Sequence, residues 1–111
     1  MQITMLEKNS VLVCYVSGEI DINTSPQVKK IFDKIIASKK EKIVINLKKV
    51  SYVDSSGLAT LVEILKGLRA YGGRLKISNL SQKVKNLFEI TKLEKLFDIT
   101  IEEEEAVKAL I

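Results

Sequence analysis

The sequence contains no histidine among its 111 residues, and this absence excludes several kinds of chemistry. Without histidine, neither a Ser-His-Asp nor a Cys-His catalytic arrangement can form, and no histidine can act as a pH switch. With only one cysteine as well, a zinc site would have to be built almost wholly from carboxylates. We therefore expect no metal site and no catalytic residues, and we predict that the protein is not an enzyme.

The single cysteine also excludes an internal disulfide bond. Cys14 lies within the apolar run of residues 11–16, which is typical of a strand. We expect its thiol to be buried and structural, because a reactive cysteine needs an exposed and electropositive setting.

The sequence lacks the run of about 20 apolar residues that a membrane-spanning helix needs, and its first residues do not resemble a signal peptide. We therefore expect a cytoplasmic protein with no membrane partner. The net charge is +4, but lysines alternate with acidic residues and only 5% of the residues are aromatic. This pattern favours a solvated surface, so we expect no direct binding to nucleic acid.

The spacing of apolar residues predicts one domain, residues 1–111, in which strands alternate with helices. Strands are predicted at 2–6, 11–17, 43–47, 75–78 and 99–101, with a hairpin turn at 7–10. Apolar stripes with helical spacing cover 28–36, 58–68, 84–88 and 106–111. The alternation predicts an α/β fold with a mixed β-sheet of four to five strands and right-handed crossovers.

Helix ends are predicted from capping residues. Capping-box spacing occurs at Thr24–Gln27, Thr91–Glu94 and Thr100–Glu103. The pair Gly72-Gly73 is expected to end the second helix, because glycine readily adopts the left-handed conformation found there. The acidic run 102–105 falls on the first turn of the last helix, where carboxylates favour the helix dipole, so it needs no binding role.

The segment Asp54-Ser55-Ser56-Gly57-Leu58 lies where a strand gives way to a helix. Sites in α/β sheets form in such loops, and small side chains let a partner approach closely. A helix N-cap explains the same residues equally well. A nucleophilic serine is disfavoured, since no Gly-x-Ser-x-Gly motif or histidine base is present, and no phosphate-binding loop occurs.

Three groups of residues resemble the STAS domain of the anti-sigma-factor antagonist family. They are Gly18-Glu19-Ile20-Asp21 with Thr24; Val44-Ile45-Asn46-Leu47 leading through Val50 to the segment 53–58; and Gly72-Gly73 with Val84-Lys85-Asn86-Leu87-Phe88. Each group alone is a weak signal, but together they cover nearly the whole chain.

The resemblance implies a switch. In that family the serine after the motif aspartate, here Ser55, is phosphorylated by the partner anti-sigma factor, which is itself a kinase. The unphosphorylated protein binds this kinase and releases the sigma factor, and a serine phosphatase resets the switch. No cofactor is expected on this chain, because ATP and Mg would be bound by the kinase. The alternative is a STAS domain that is not phosphorylated and serves as a scaffold, signalling or transport-associated module.

Seven residues are predicted to contact the partner: Asp21, Asn23, Thr24, Asp54, Ser56, Gly57 and Leu58. Turn or cap formation explains Asp21 equally well and is the favoured interpretation for Asn23 and Thr24, and Leu58 opens a helical stripe, which favours a place in the core. A phosphate on Ser55 would lie at a helix N-terminus, which tolerates its charge, while Asp54 would repel it. We therefore expect little refolding on phosphorylation, and loss of binding through repulsion and steric misfit.

Overall fold

The computed structural model describes residues 1–111, and their strands form one sheet of five in the order β1-β2-β3-β4-β5. The strands are β1 (Gln2–Lys8), β2 (Val11–Ile20), β3 (Lys42–Val53), β4 (Arg74–Ser78) and β5 (Asp98–Thr100). Strand β1 is antiparallel to β2, and every later pair is parallel. The predicted mixed sheet is therefore confirmed.

Four α-helices alternate with the parallel strands, as the apolar spacing predicts. They are α1 (Ser25–Ala37), α2 (Ser55–Arg69), α3 (Gln82–Ile90) and α4 (Glu103–Leu110), and a short 3-10 turn covers Leu93–Lys95. No helix combines the length and the apolar character that crossing a bilayer requires.

Strands β2 and β3 run further than the apolar pattern predicts, to Ile20 and Val53 instead of residues 17 and 47. The parallel pairing continues through these extensions across two register shifts, one of them next to Gly18, which has a φ of +109°. Such irregularities interrupt the period-2 alternation that marks a strand in a sequence. The longer pairing brings the carboxyl ends of both strands side by side.

The sheet carries a hydrophobic core on each face. The larger core holds 21 buried residues between the sheet and helices α1, α2 and α3. The smaller core lies beneath α4 and consists of Val11, Val13, Val44, Ala106, Val107 and Leu110. Ile111, predicted to continue the α4 stripe, is instead exposed because the helix ends before it.

Cys14 is fully buried in the larger core, as predicted, and burial raises the pKa of its thiol to about 12. Its thiolate population at neutral pH is therefore negligible. We expect no reaction of this thiol with iodoacetamide in the native state and full reaction in about 8 M urea, where the chain is unfolded. The intact mass of the protein measures both. Modification of the folded protein within minutes would contradict this placement.

Two of the predicted capping boxes, Thr91–Glu94 and Thr100–Glu103 near the C-terminal end of the chain, do not form. Thr91 instead ends α3, where its hydroxyl donates to the Leu87 carbonyl oxygen at 2.8 Å. The Thr100 hydroxyl donates to the Glu102 carbonyl oxygen at 2.9 Å, and the capping box of α4 is formed by Glu102 and Glu105. The prediction failed because a threonine hydroxyl can serve either end of a helix or a turn.

The acidic run at the start of α4 does more than complement the helix dipole. Glu103 is buried, accepts a hydrogen bond from the Asn46 amide at 3.0 Å and forms an ion pair with Lys8. Burial raises the pKa of the Glu103 carboxyl, but hydrogen bonds from Lys8, Tyr15 and Asn46 together outweigh it and lower the pKa. Glu103 therefore ties α4 to β1 and β3, a role that its position in the sequence does not reveal.

Candidate functional site

The loop after β2 and the start of α2 lie next to each other at the carboxyl edge of the sheet. This follows from the parallel register, in which Ile20 lies opposite Val53. The predicted partner-contacting residues of the loop 21–24 and of the segment 54–58 are therefore brought together, although about thirty residues separate them in sequence.

Asp54 links the two segments. It is the N-cap of α2, with one carboxylate oxygen accepting from the Gly57 N–H at 2.9 Å. The other carboxylate oxygen accepts from the Ile22 N–H at 3.1 Å, and the Asp54 N–H donates to the Ile20 carbonyl oxygen at 3.2 Å. Asp54 is therefore a helix cap and also a clamp on the neighbouring loop.

Replacing Asp54 tests this double role. We expect Asp54→Ala to lower the free energy of unfolding by about 1–3 kcal/mol, because it removes the cap and leaves two N–H groups without their acceptor. Asp54→Asn should have a smaller effect, since its single amide oxygen can replace only one acceptor. Urea unfolding measures both.

Asp33→Ala on α1 is the matched control for this series. Asp33 is exposed and forms only an ion pair with Lys29, four residues earlier in the same helix. We expect that substitution to cost at most about 0.5 kcal/mol. Equal losses for Asp54→Ala and Asp33→Ala would show that the contacts of Asp54 contribute little.

Asp21 and Thr24 hold the loop after β2 in a fixed shape. One Asp21 carboxylate oxygen accepts from the N–H groups of Asn23 and Thr24, at 2.9 and 3.0 Å. The hydrogen bond from the Thr24 N–H is the largest cause that lowers the pKa of Asp21 below its usual range, and it outweighs the opposing effect of partial desolvation. The turn-forming role of these residues is therefore present, alongside their position beside the segment 54–58.

The predicted capping box of Thr24 and Gln27 does not form. The Thr24 hydroxyl accepts from the Asp21 N–H at 2.9 Å and donates to the Glu19 carbonyl oxygen at 2.7 Å. Thr24 does occupy the N-cap position of α1, but its side chain makes no capping hydrogen bond. Its hydroxyl is already engaged by the turn.

Gly57 allows α2 to begin directly against the end of β2. A Cβ atom at this position would lie 2.2 Å from the Ile20 carbonyl oxygen, far inside van der Waals contact. Both Gly57 and Leu58 are buried, and Leu58 belongs to the larger core. Of the predicted contact residues, these two offer a partner the least surface.

Ser55 is the exposed residue of this segment, whereas Ser56 is half-buried. They occupy the first two positions of α2, where backbone N–H groups have no partner within the helix. The Ser55 hydroxyl takes no part in the hydrogen bonds that Asp54 makes. Ser55 is thus a free hydroxyl on a rigid support, beside two unpaired N–H groups and a carboxylate.

The contribution of Ile22 was not foreseen from the sequence. Its N–H binds Asp54, while its side chain is 69% exposed. A hydrogen bond between positions 32 residues apart cannot be predicted from local sequence patterns.

The site contains no group of three or more His, Cys, Asp or Glu side chains able to hold a metal ion, and neither does the rest of the chain.

Comparisons with known proteins place this geometry in context. The family model of the STAS domain matches residues 2–106. The anti-sigma-B factor antagonist of Bacillus subtilis is 37% identical over 95 residues, which cover 84% of each chain. That of Listeria monocytogenes is 41% identical over 87 residues, covering 77% of this chain and 75% of the relative. The crystal structure of an anti-sigma factor antagonist from Mycobacterium paratuberculosis matches with a TM-score of 0.90 at 25% identity, covering 98% and 92% of the two chains.

Proposed function

The chain belongs to the STAS domain family, and from this premise we propose that it is an anti-sigma factor antagonist switched by phosphorylation of Ser55. The unphosphorylated chain binds an anti-sigma factor and thereby releases a sigma factor. The anti-sigma factor is also a kinase, which brings its own ATP and Mg and phosphorylates Ser55. A serine phosphatase restores the binding form. The chain acts by binding and catalyses no reaction itself.

The observation that carries this proposal is the setting of Ser55. Its hydroxyl is exposed at the first position of α2, while the backbone around it is held by Asp54 and Gly57. A kinase must reach the acceptor oxygen from outside the fold, and Ser56 is less accessible. A rigid support also means that binding costs little ordering of the loop.

The local charges suggest how phosphorylation acts. A phosphoserine adds about −1.5 to −2 charges and three acceptor oxygens. The unpaired N–H groups of the first turn can donate hydrogen bonds to these oxygens, whereas the Asp54 and Asp21 carboxylates repel them. Since the phosphate finds donors without displacing Asp54 from Gly57, we expect the fold to stay unchanged. Binding is lost because a doubly charged group occupies the centre of the interface.

A pair of affinity columns tests the proposal, one carrying the wild type and one carrying Ser55→Ala. Both are loaded with extract of the cells that make the protein, without ATP, and then washed with Mg-ATP. We expect one kinase on both columns and its release by Mg-ATP from the wild-type column only. A partner retained by the wild type after Mg-ATP, with no phosphate on the chain, would favour the scaffold or transport-associated alternative.

A further inference from the structure

Some of the exposed apolar side chains of this protein border the segment that presents Ser55 or the groove next to it. Eight large apolar residues are exposed, and three of them, Ile22, Tyr52 and Ile90, border the phosphorylation segment or the groove next to it. Ile90 is the most exposed of the eight, at 79%. Single exposed apolar residues are ordinary, but Tyr52 and Ile90 line one groove beside a candidate interface, which favours a binding surface there.

The groove lies between the end of β3 and helix α3, with a volume of about 210 Å³. Its lining consists of Tyr52, Val53, Lys83, Val84, Asn86, Leu87 and Ile90, and we name it the α3 groove. Val53 directly precedes Asp54, so one end of the groove lies next in sequence to the segment that presents Ser55. At its rim, the Lys83 ammonium lies 5.7 Å from the centre of the Tyr52 ring.

We infer that the α3 groove receives an apolar side chain of the anti-sigma factor kinase, flanked by a carboxylate that faces Lys83. This inference rests on the proposed function and adds a second contact to the one at Ser55. A protein interface of ordinary size covers about 800 Å² of each partner, which corresponds to a radius of about 16 Å. Tyr52 is three residues from Ser55 and so at most about 11 Å away. An interface of that size centred on Ser55 therefore reaches Tyr52, one of the residues that line the groove.

The charges around Ser55 are the reason for expecting an apolar side chain flanked by a carboxylate in the groove. On one side of Ser55 the surface carries the carboxylates of Asp21 and Asp54, and on the α3 side it carries the Lys83 cation beside apolar residues. Binding energy in protein interfaces comes mainly from apolar and aromatic anchors that fill pockets, while charges at the rim fix orientation. Contact at the groove orients the kinase without involving the hydroxyl that it modifies.

The test compares Ile90→Gln and Lys83→Glu with Ile111→Gln as the matched control. Ile111 is also an exposed isoleucine, and it follows α4 at the opposite edge of the sheet, near the start of β4. Binding of each variant to the kinase recovered from the columns is measured by calorimetry without ATP. We expect Ile90→Gln and Lys83→Glu each to weaken binding by about tenfold or more, with no change for Ile111→Gln.

Circular dichroism and urea unfolding of the three variants separate loss of binding from loss of folding. If the wild type is bound and phosphorylated while Ile90→Gln and Lys83→Glu bind as tightly as Ile111→Gln, the groove is not a contact surface and only this inference fails. If the wild type neither binds a kinase nor accepts phosphate, the proposed function fails and this inference with it.

Discussion

Ser55→Asp is expected to weaken binding to the anti-sigma factor kinase by about a hundredfold, whereas Ser55→Ala should bind like the wild type. A carboxylate in the middle of a protein interface must lose its hydration on binding without a cation to pair with it, and a hundredfold loss corresponds to about 2.7 kcal/mol. Removing the hydroxyl costs little, because it is exposed and takes no part in the hydrogen bonds of Asp54. Calorimetric titration of the kinase without ATP measures both affinities.

Urea unfolding of Ser55→Asp distinguishes weaker binding from a loss of folding. An acidic residue in the first turn of a helix is favourable by about 0.3–1 kcal/mol, so Ser55→Asp should unfold at an equal or slightly higher urea concentration. Ser10→Asp is the matched control, since Ser10 is exposed in the β1–β2 turn, at the other end of β2 from the site. Wild-type affinity in Ser55→Asp, or equal losses in Ser10→Asp, would show that charge at Ser55 does not control binding.

Gly57→Ala is expected to lower the free energy of unfolding by about 3 kcal/mol or more. Its methyl group would lie 2.2 Å from the Ile20 carbonyl oxygen, and neither the end of β2 nor the start of α2 can move away without breaking the hydrogen bonds of Asp54. Overpacking against backbone costs about 1–3 kcal/mol and occasionally more. Urea unfolding followed by circular dichroism measures the loss.

Gly67→Ala in the same helix provides the comparison. There the added methyl group meets the end of the flexible Ile36 side chain at 2.7 Å, and that side chain can shift. Alanine also favours a helix over glycine by about 1 kcal/mol, so we expect a net change within about 1 kcal/mol of zero. If Gly57→Ala proved as stable as Gly67→Ala, the close approach of α2 to β2 would be less rigid than the structure indicates.

The order of strands and helices could be predicted because it depends on local apolar spacing. Short β-branched runs marked the buried centres of the strands, and the stripes from Val28 and Leu58 marked the buried faces of α1 and α2. The ends of β2 and β3 could not be predicted, since Gly18 and the register shifts break the alternation there. Where a strand pairs beyond its apolar run, only the neighbouring strand reveals it.

The candidate site residues were predicted from the sequence, but the hydrogen bonds that connect them were not. Asp54 could be predicted as an N-cap from its position before the helical stripe, and this was correct. Its second bond, to Ile22, depends on two strands lying side by side, as does the engagement of Thr24 by Glu19 and Asp21. Local patterns fail in such places because a polar side chain takes whichever partner the tertiary structure brings closest.

The most direct test of the account is the intact mass of the wild type, Ser55→Ala and Ser56→Ala after incubation with the purified kinase and Mg-ATP. We expect one phosphate on the wild type and on Ser56→Ala, and none on Ser55→Ala. A phosphate that persists in Ser55→Ala and disappears in Ser56→Ala would place the switch on the other serine. No phosphate on any of the three, with a kinase that binds the chain, would contradict a phosphorylation switch altogether.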